Sequence, residues 1–168
     1  MGDLRSTLQS RLSGRACVVG VGNAELGDDG FGPCVAEALC EAGIHDVIVA
    51  GTTPERWMEK LTSSGYESVL FLDAVEFSGE PGAAVLLEAD EIRARFPQVS
   101  THKISLGTLA QVIEHESAAK VLLLGVKPES LAGGAGLTPC VRDSASGVAA
   151  ILSDVLSSNP KKLECEAQ

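Results

Sequence analysis

No stretch of this 168-residue sequence is apolar for long enough to cross a bilayer. The longest apolar runs are strand-sized and broken by glycine, which excludes a transmembrane helix. Basic residues are scarce, 13 Lys and Arg against 23 Asp and Glu for a net charge of −10. An acidic surface repels phosphate backbones and anionic headgroups, so no nucleic acid and no membrane insertion are expected, and solubility is the plainest use of the charge. The five cysteines (Cys17, Cys34, Cys40, Cys140 and Cys165) are odd in number and form no C-x-x-C pair, which argues against a cysteine zinc site. Three of them fall in apolar helix or strand patterns and read as reduced core cysteines of a cytoplasmic protein. The opening "MGDLRSTLQSRLSGR" mixes charges with helically spaced leucines. It reads as a short amphipathic helix, and neither as a secretory signal nor as a lipidation site.

Two common catalytic signatures are missing as well. Gly20, Gly22 and Gly27 do not fit G-x-G-x-x-G, and Gly51, Thr52 and Thr53 stand where a dinucleotide fold needs an acid after its second strand. No G-x-S-x-G elbow occurs, and Cys17 lies inside a strand pattern.

What is present is the composition of one globular domain, 45% hydrophobic and 21% charged. The runs at 16–21, 46–51, 68–74, 83–88 and 120–126 read as strands. Most are continuous instead of alternating, as in a sheet covered on both faces. Helix stripes fall between them at Phe31, Val35 and Leu39, at Leu106, Leu109 and Ile113, and at Val148, Ile151, Leu152 and Val155. Thr138 and Pro139 supply an N-cap and first turn for the last helix. The pattern predicts a three-layer α/β/α sandwich around a mostly parallel, twisted sheet of about five strands. The turn at 77–83 makes the 83–88 strand an antiparallel edge. The domain is expected over 1–158, with a frayed tail over 159–168.

In open α/β sheets ligands gather at the carboxyl ends of strands. The stretch "VVGVGNAELGDDGFG" brings Asp28 and Asp29 to such an end, the strand 68–72 delivers Asp73, and "STHKISL" sets His102 before a helix. Carboxylates in the glycine turn would repel a pyrophosphate. Two carboxylates and an imidazole suit a borderline divalent ion such as Ni²⁺ or Zn²⁺ and leave coordination positions open. Each residue also has a structural use. Asp28 or Asp29 can serve the following helix's N-terminus, Asp73 can cap a turn, and His102 can cap the helix that begins near Ser105. His45 and His115 stand beside surface charges and read as exposed and inert.

Together "GVGNAELGDDGFG", "LFLDA" and "STHKISL", with "GTTPE" and "LLLGVKPE", resemble the hydrogenase maturation endopeptidase family over roughly residues 16–157. Members of that family remove a C-terminal extension from the large subunit of [NiFe] hydrogenases once nickel has been inserted. The resemblance implies an aspartyl-type metal site and an α/β/α sandwich. Asp29, Asp73 and His102 would contact nickel carried by the substrate, and zinc or cadmium would take the site in isolation. It implies the large-subunit precursor as partner and a cytoplasmic setting. Asp-Asp-Gly and "THKISL" look closest to the branch serving formate-linked hydrogenase 3. Glu25, where apolar residues are usual, and the helix within residues 1–14 depart from the family pattern. A non-catalytic module that checks nickel loading and a small-molecule hydrolase on the same fold are the competing readings.

Overall fold

The computed structural model describes residues 3–95 and 105–159; the tail expected beyond Asn159 lies outside the described residues. Its strands are β1 (Ala16–Val21), β2 (Val47–Gly51), β3 (Ser68–Ala74), β4 (Ala84–Glu88) and β5 (Lys120–Val126). The described helices are α1 (Leu4–Arg11), α2 (Phe31–Glu41), α3 (Met58–Ser63), α4 (Ala89–Arg95), α5 (Leu106–Glu116) and α6 (Pro139–Ser157). The sheet order is β2-β1-β3-β5-β4. Every pairing is parallel except β4 with β5, so the strand after the 77–83 turn is the antiparallel edge expected for it.

The continuous apolar runs sort by parity. Val18, Leu70, Leu72, Leu122 and Leu124 join a core with α1, α2 and α6, while Cys17, Val19, Val69, Phe71, Val121 and Leu123 join another with α3, α4 and α5. Successive strand side chains point to opposite faces, so a strand clad on both sides must be apolar at every position. The helix stripes behave as predicted, with Phe31, Val35 and Leu39 at most 1% exposed. The cysteines only partly follow the expectation. Cys17 is core, whereas Cys34 and Cys40 are exposed because they lie off the Phe31–Val35–Leu39 stripe of α2. Among the described residues no helix is long and apolar enough to cross a membrane.

The chain leaves β1 through α2 on one face and reaches β3 through α3 on the other. The strand order therefore reverses between β1 and β3, and in such sheets the crevice at that point is where ligands bind. The start of α2 is pressed onto this place. A side chain on Gly32 would collide with the carbonyls of Val21 and Leu72, the last residue of β1 and a late residue of β3.

Candidate functional site

Between β1 and α2 the chain makes a single 3₁₀ turn, Gly27–Gly30, that carries both acidic residues of the first loop. The two carboxylates part company here. Asp28 has no solvent exposure. Its Oδ2 accepts from the amides of Glu129 (2.8 Å) and Ser130 (3.0 Å), and its Oδ1 accepts from the amide of Thr138 (2.7 Å). The Thr138 hydroxyl lies 3.0 and 2.9 Å from the two carboxylate oxygens. Burial alone would raise the pKa of Asp28. The amides of Ser130, Thr138 and Glu129 and the Thr138 hydroxyl all favour the ionised form, outweigh burial and hold the carboxyl below the ordinary aspartate range.

Both aspartates stand in the 3₁₀ turn directly before α2, near its N-terminus, but neither makes a side-chain cap bond there. Thr138 does occupy the N-cap position of α6; its hydroxyl makes no cap bond and donates to Asp28. Asp28 instead ties the loop that follows β5 to the loop that follows β1. A carboxylate with four lone-pair sites can satisfy several donors at once, and local helix signals cannot foretell a partner so far along the chain.

Asp29 is half-buried, and its Oδ2 accepts from the amide of Asn23 at 2.7 Å. That bond folds the turn back on itself and holds the carboxylate beside the end of β1. Asp73 is the penultimate residue of β3, also half-buried, and its Oδ1 accepts from the amide of Ala74 at 2.9 Å. The register of β1 and β3 pairs Gly20 with Leu72, so Gly22 and Asp73 emerge from neighbouring strands at the same end of the sheet. Gly22 lies between the main chain of Asp29 and the carboxylate of Asp73. A Cβ built on it would strike the carbonyl oxygen of Asp29 and stand 3.5 Å from Asp73 Oδ1, and its φ of +134° is one that side-chain-bearing residues rarely adopt. Asp29 and Asp73 thus flank one point at the β1/β3 switch.

His102 lies outside the described residues. The helix it precedes is present, with Ser105 rather than the histidine as N-cap, accepting from the amide of Thr108. Among the described residues no three His, Cys, Asp or Glu side chains come together to hold a metal ion. His45 and His115 are exposed. Sequence reasoning missed the main-chain amide of Asn23, for which no side-chain signal exists, and the partnership of Asp28 with Thr138.

The sequence model of the hydrogenase maturation protease family matches residues 35–155. The hydrogenase 3 maturation protease of Escherichia coli K12 is 29% identical over 130 residues, which are 76% of this chain and 82% of that protein. A protein named coenzyme F420 hydrogenase subunit delta, of Methanothermobacter thermautotrophicus, is 33% identical over 138 residues, covering 74% of this chain and 84% of that one. Among solved structures, a [NiFe] hydrogenase maturation protease of Thermococcus kodakarensis superposes with a TM-score of 0.79 at 28% identity, over 90% of this chain and 99% of that one.

Proposed function

The chain belongs to the hydrogenase maturation protease family, and from that premise we propose that it is an endopeptidase that removes the C-terminal extension of a [NiFe] hydrogenase large-subunit precursor, working in the cytoplasm and recognising nickel that the precursor already holds. The observation that supports this reading is that Gly22, at the β1/β3 switch, lies against the main chain of Asp29 and the carboxylate of Asp73. Two carboxylates there offer hard oxygen donors on adjacent elements, and His102 is the proposed third ligand. Such a donor set fits nickel, and equally zinc or cadmium when no substrate is present.

The protein's share of the chemistry is positioning and proton handling. Asp29 and Asp73 orient the substrate's nickel-bearing segment so that the scissile peptide lies beside them. Water adds to the scissile carbonyl carbon, a carboxylate accepts its proton, and the proton passes to the leaving nitrogen as the C–N bond breaks. The products are a shortened large subunit with a new carboxylate and a released peptide with a new amine. Asp28, buried and fully engaged, keeps the wall of the site in place and takes no proton. Within the family we assign the hydrogenase 3 branch, which the resemblance to the Escherichia coli hydrogenase 3 enzyme supports.

A second reading has one specific finding in its favour. The relative at 33% identity is named as a hydrogenase subunit and not as a protease, in line with a module that binds the precursor and checks its nickel without cutting. Incubation with nickel-loaded precursor, followed by intact-mass measurement, separates the two. A shortened precursor is the expected result; a stable complex of unchanged mass would replace the protease with the checking module.

A further inference from the structure

Among the described residues, the large apolar side chains most exposed to solvent include Leu26 at 43% and Leu131 at 52%. A single exposed leucine is ordinary. These two differ because they stand on facing loops whose backbones are locked together. The Asp28 amide donates to the Ser130 carbonyl (2.9 Å) and the Gly134 amide to the Glu25 carbonyl (3.1 Å). A Cβ on Gly27 would lie 2.6 Å from the carbonyl oxygen of Ser130 and 3.0 Å from that of Ala132, the residues on either side of Leu131. The buried Asp28 carboxylate closes the clamp by accepting from Glu129 and Ser130. Leu26 and Leu131 are therefore presented from one fixed edge. Leu26 lies three residues before Asp29, whose carboxylate is tied back to Asn23, so the edge is continuous with the candidate site.

The charges beside the two leucines are acidic, and Lys127, at the start of the second loop, is turned to the Phe77 carbonyl and to Glu76. Glu25 and Glu129 are exposed on the same two loops. The basic side chain of Arg142, in the first turns of α6, is turned to the Leu137 carbonyl at 2.9 Å. We propose that the Leu26–Leu131 edge is the docking edge for the polypeptide substrate, taking an apolar side chain from the precursor's C-terminal segment while Glu25 and Glu129 select a basic residue beside it. Continuity with Asp29 places the bound segment at the carboxylates, and the exposed glutamates give the edge its preference for positive charge. The inference rests on the protease reading for the identity of the occupant.

The test uses the full chain with nickel-loaded large-subunit precursor, measuring Kd by interferometry and, separately, KM and kcat for cleavage. Leu26→Ser with Leu131→Ser is expected to raise Kd and KM at least tenfold, about 1.4 kcal/mol, with kcat and thermal melting near wild type. Glu25→Lys is expected to weaken binding at low salt, with the loss shrinking as salt rises. Unchanged Kd and KM in the leucine pair would overturn the proposal. If that pair melts early, Glu25→Lys decides alone, and binding that does not respond to it at low salt overturns the proposal. A wild-type chain that binds without cutting fails the protease reading only, since the leucine pair is still judged by Kd. One that neither binds nor cuts fails both.

Discussion

Thr138 donates its hydroxyl to Asp28, a residue 110 positions earlier, and by doing so joins the first loop of the sheet to the last. The same carboxylate accepts the Thr138 amide and two further amides from Glu129 and Ser130. Asparagine has one carbonyl oxygen and an NH₂ in place of two acceptor oxygens, so Asp28→Asn leaves buried amide donors unmatched. The expected cost is about 1–3 kcal/mol of stability, seen as a lowered melting temperature.

That carboxylate also predicts a pH dependence. Its pKa is lowered in the folded chain from the ordinary 3.8. A depressed folded value means that the stabilisation is whole above the unfolded value and is lost as pH falls from there through the folded one. Wild-type stability should therefore decline on acidification below 3.8 by a component that Asp28→Asn does not show. Denaturant midpoints measured across acidic pH for both proteins check this; parallel curves would mean that the Asp28 clamp contributes nothing.

For Asp29 and Asp73 the expectation is the reverse. Each carboxylate is half-buried and accepts a main-chain amide, from Asn23 and Ala74 respectively. An asparagine keeps an acceptor for that amide, so Asp29→Asn and Asp73→Asn should melt close to wild type while precursor processing is abolished. Intact-mass assays paired with thermal melts read both quantities. Processing by Asp29→Asn at the wild-type rate would remove it from the site.

Two glycine substitutions should move stability in opposite directions. At Gly22, with φ +134° and the Asp29 carbonyl in the way, alanine must displace the turn that carries Asp29; a loss of more than about 1 kcal/mol is expected, with processing impaired. Gly147 lies within α6 with open space where a Cβ would stand. Alanine there should stabilise by about 0.4–1 kcal/mol without touching activity. Chemical denaturation of the two variants beside wild type gives both signs.

Legibility from sequence followed the range of the interactions. The strands were readable because a sheet covered on both faces demands unbroken apolar runs, and Val69 through Leu72 satisfy that demand locally. The edge position of Ala84–Glu88 was readable from the turn before it. Asp73 could be placed at a strand end by the same local logic, and the β1–β3 register brings that end beside the loop that carries Asp29. The role of Asp28 was not readable, because its donors come from Glu129, Ser130 and Thr138, which only the folded topology brings near. Thr138 illustrates the cost of local rules: the cap pattern places the helix start correctly but expects the hydroxyl oxygen to accept a helix amide, whereas the hydroxyl donates to Asp28. Cys34 and Cys40 were misjudged because an apolar neighbourhood along the chain is not a buried face of the helix.

The remaining prediction concerns what switches cleavage on. On the proposed reading Asp29 and Asp73 provide an incomplete donor set, and among the described residues the free cysteines Cys17, Cys34, Cys40 and Cys140 are scattered over β1, α2 and α6. Such a site should hold an ion from solution weakly and gain strongly when substrate cysteines already hold one. Nickel on the precursor, and not nickel in solution, is then the signal, because the empty precursor lacks the shared ligand. The discrimination is a difference of affinities, and each 1.4 kcal/mol of it gives about tenfold. Nickel-loaded precursor, metal-free precursor, and metal-free precursor with added zinc are compared by electrophoresis over time. The loaded precursor alone should shorten quickly. Equal cutting of the metal-free precursor would show a protease that reads the polypeptide and ignores the metal, leaving Asp29 and Asp73 to act on the peptide bond directly.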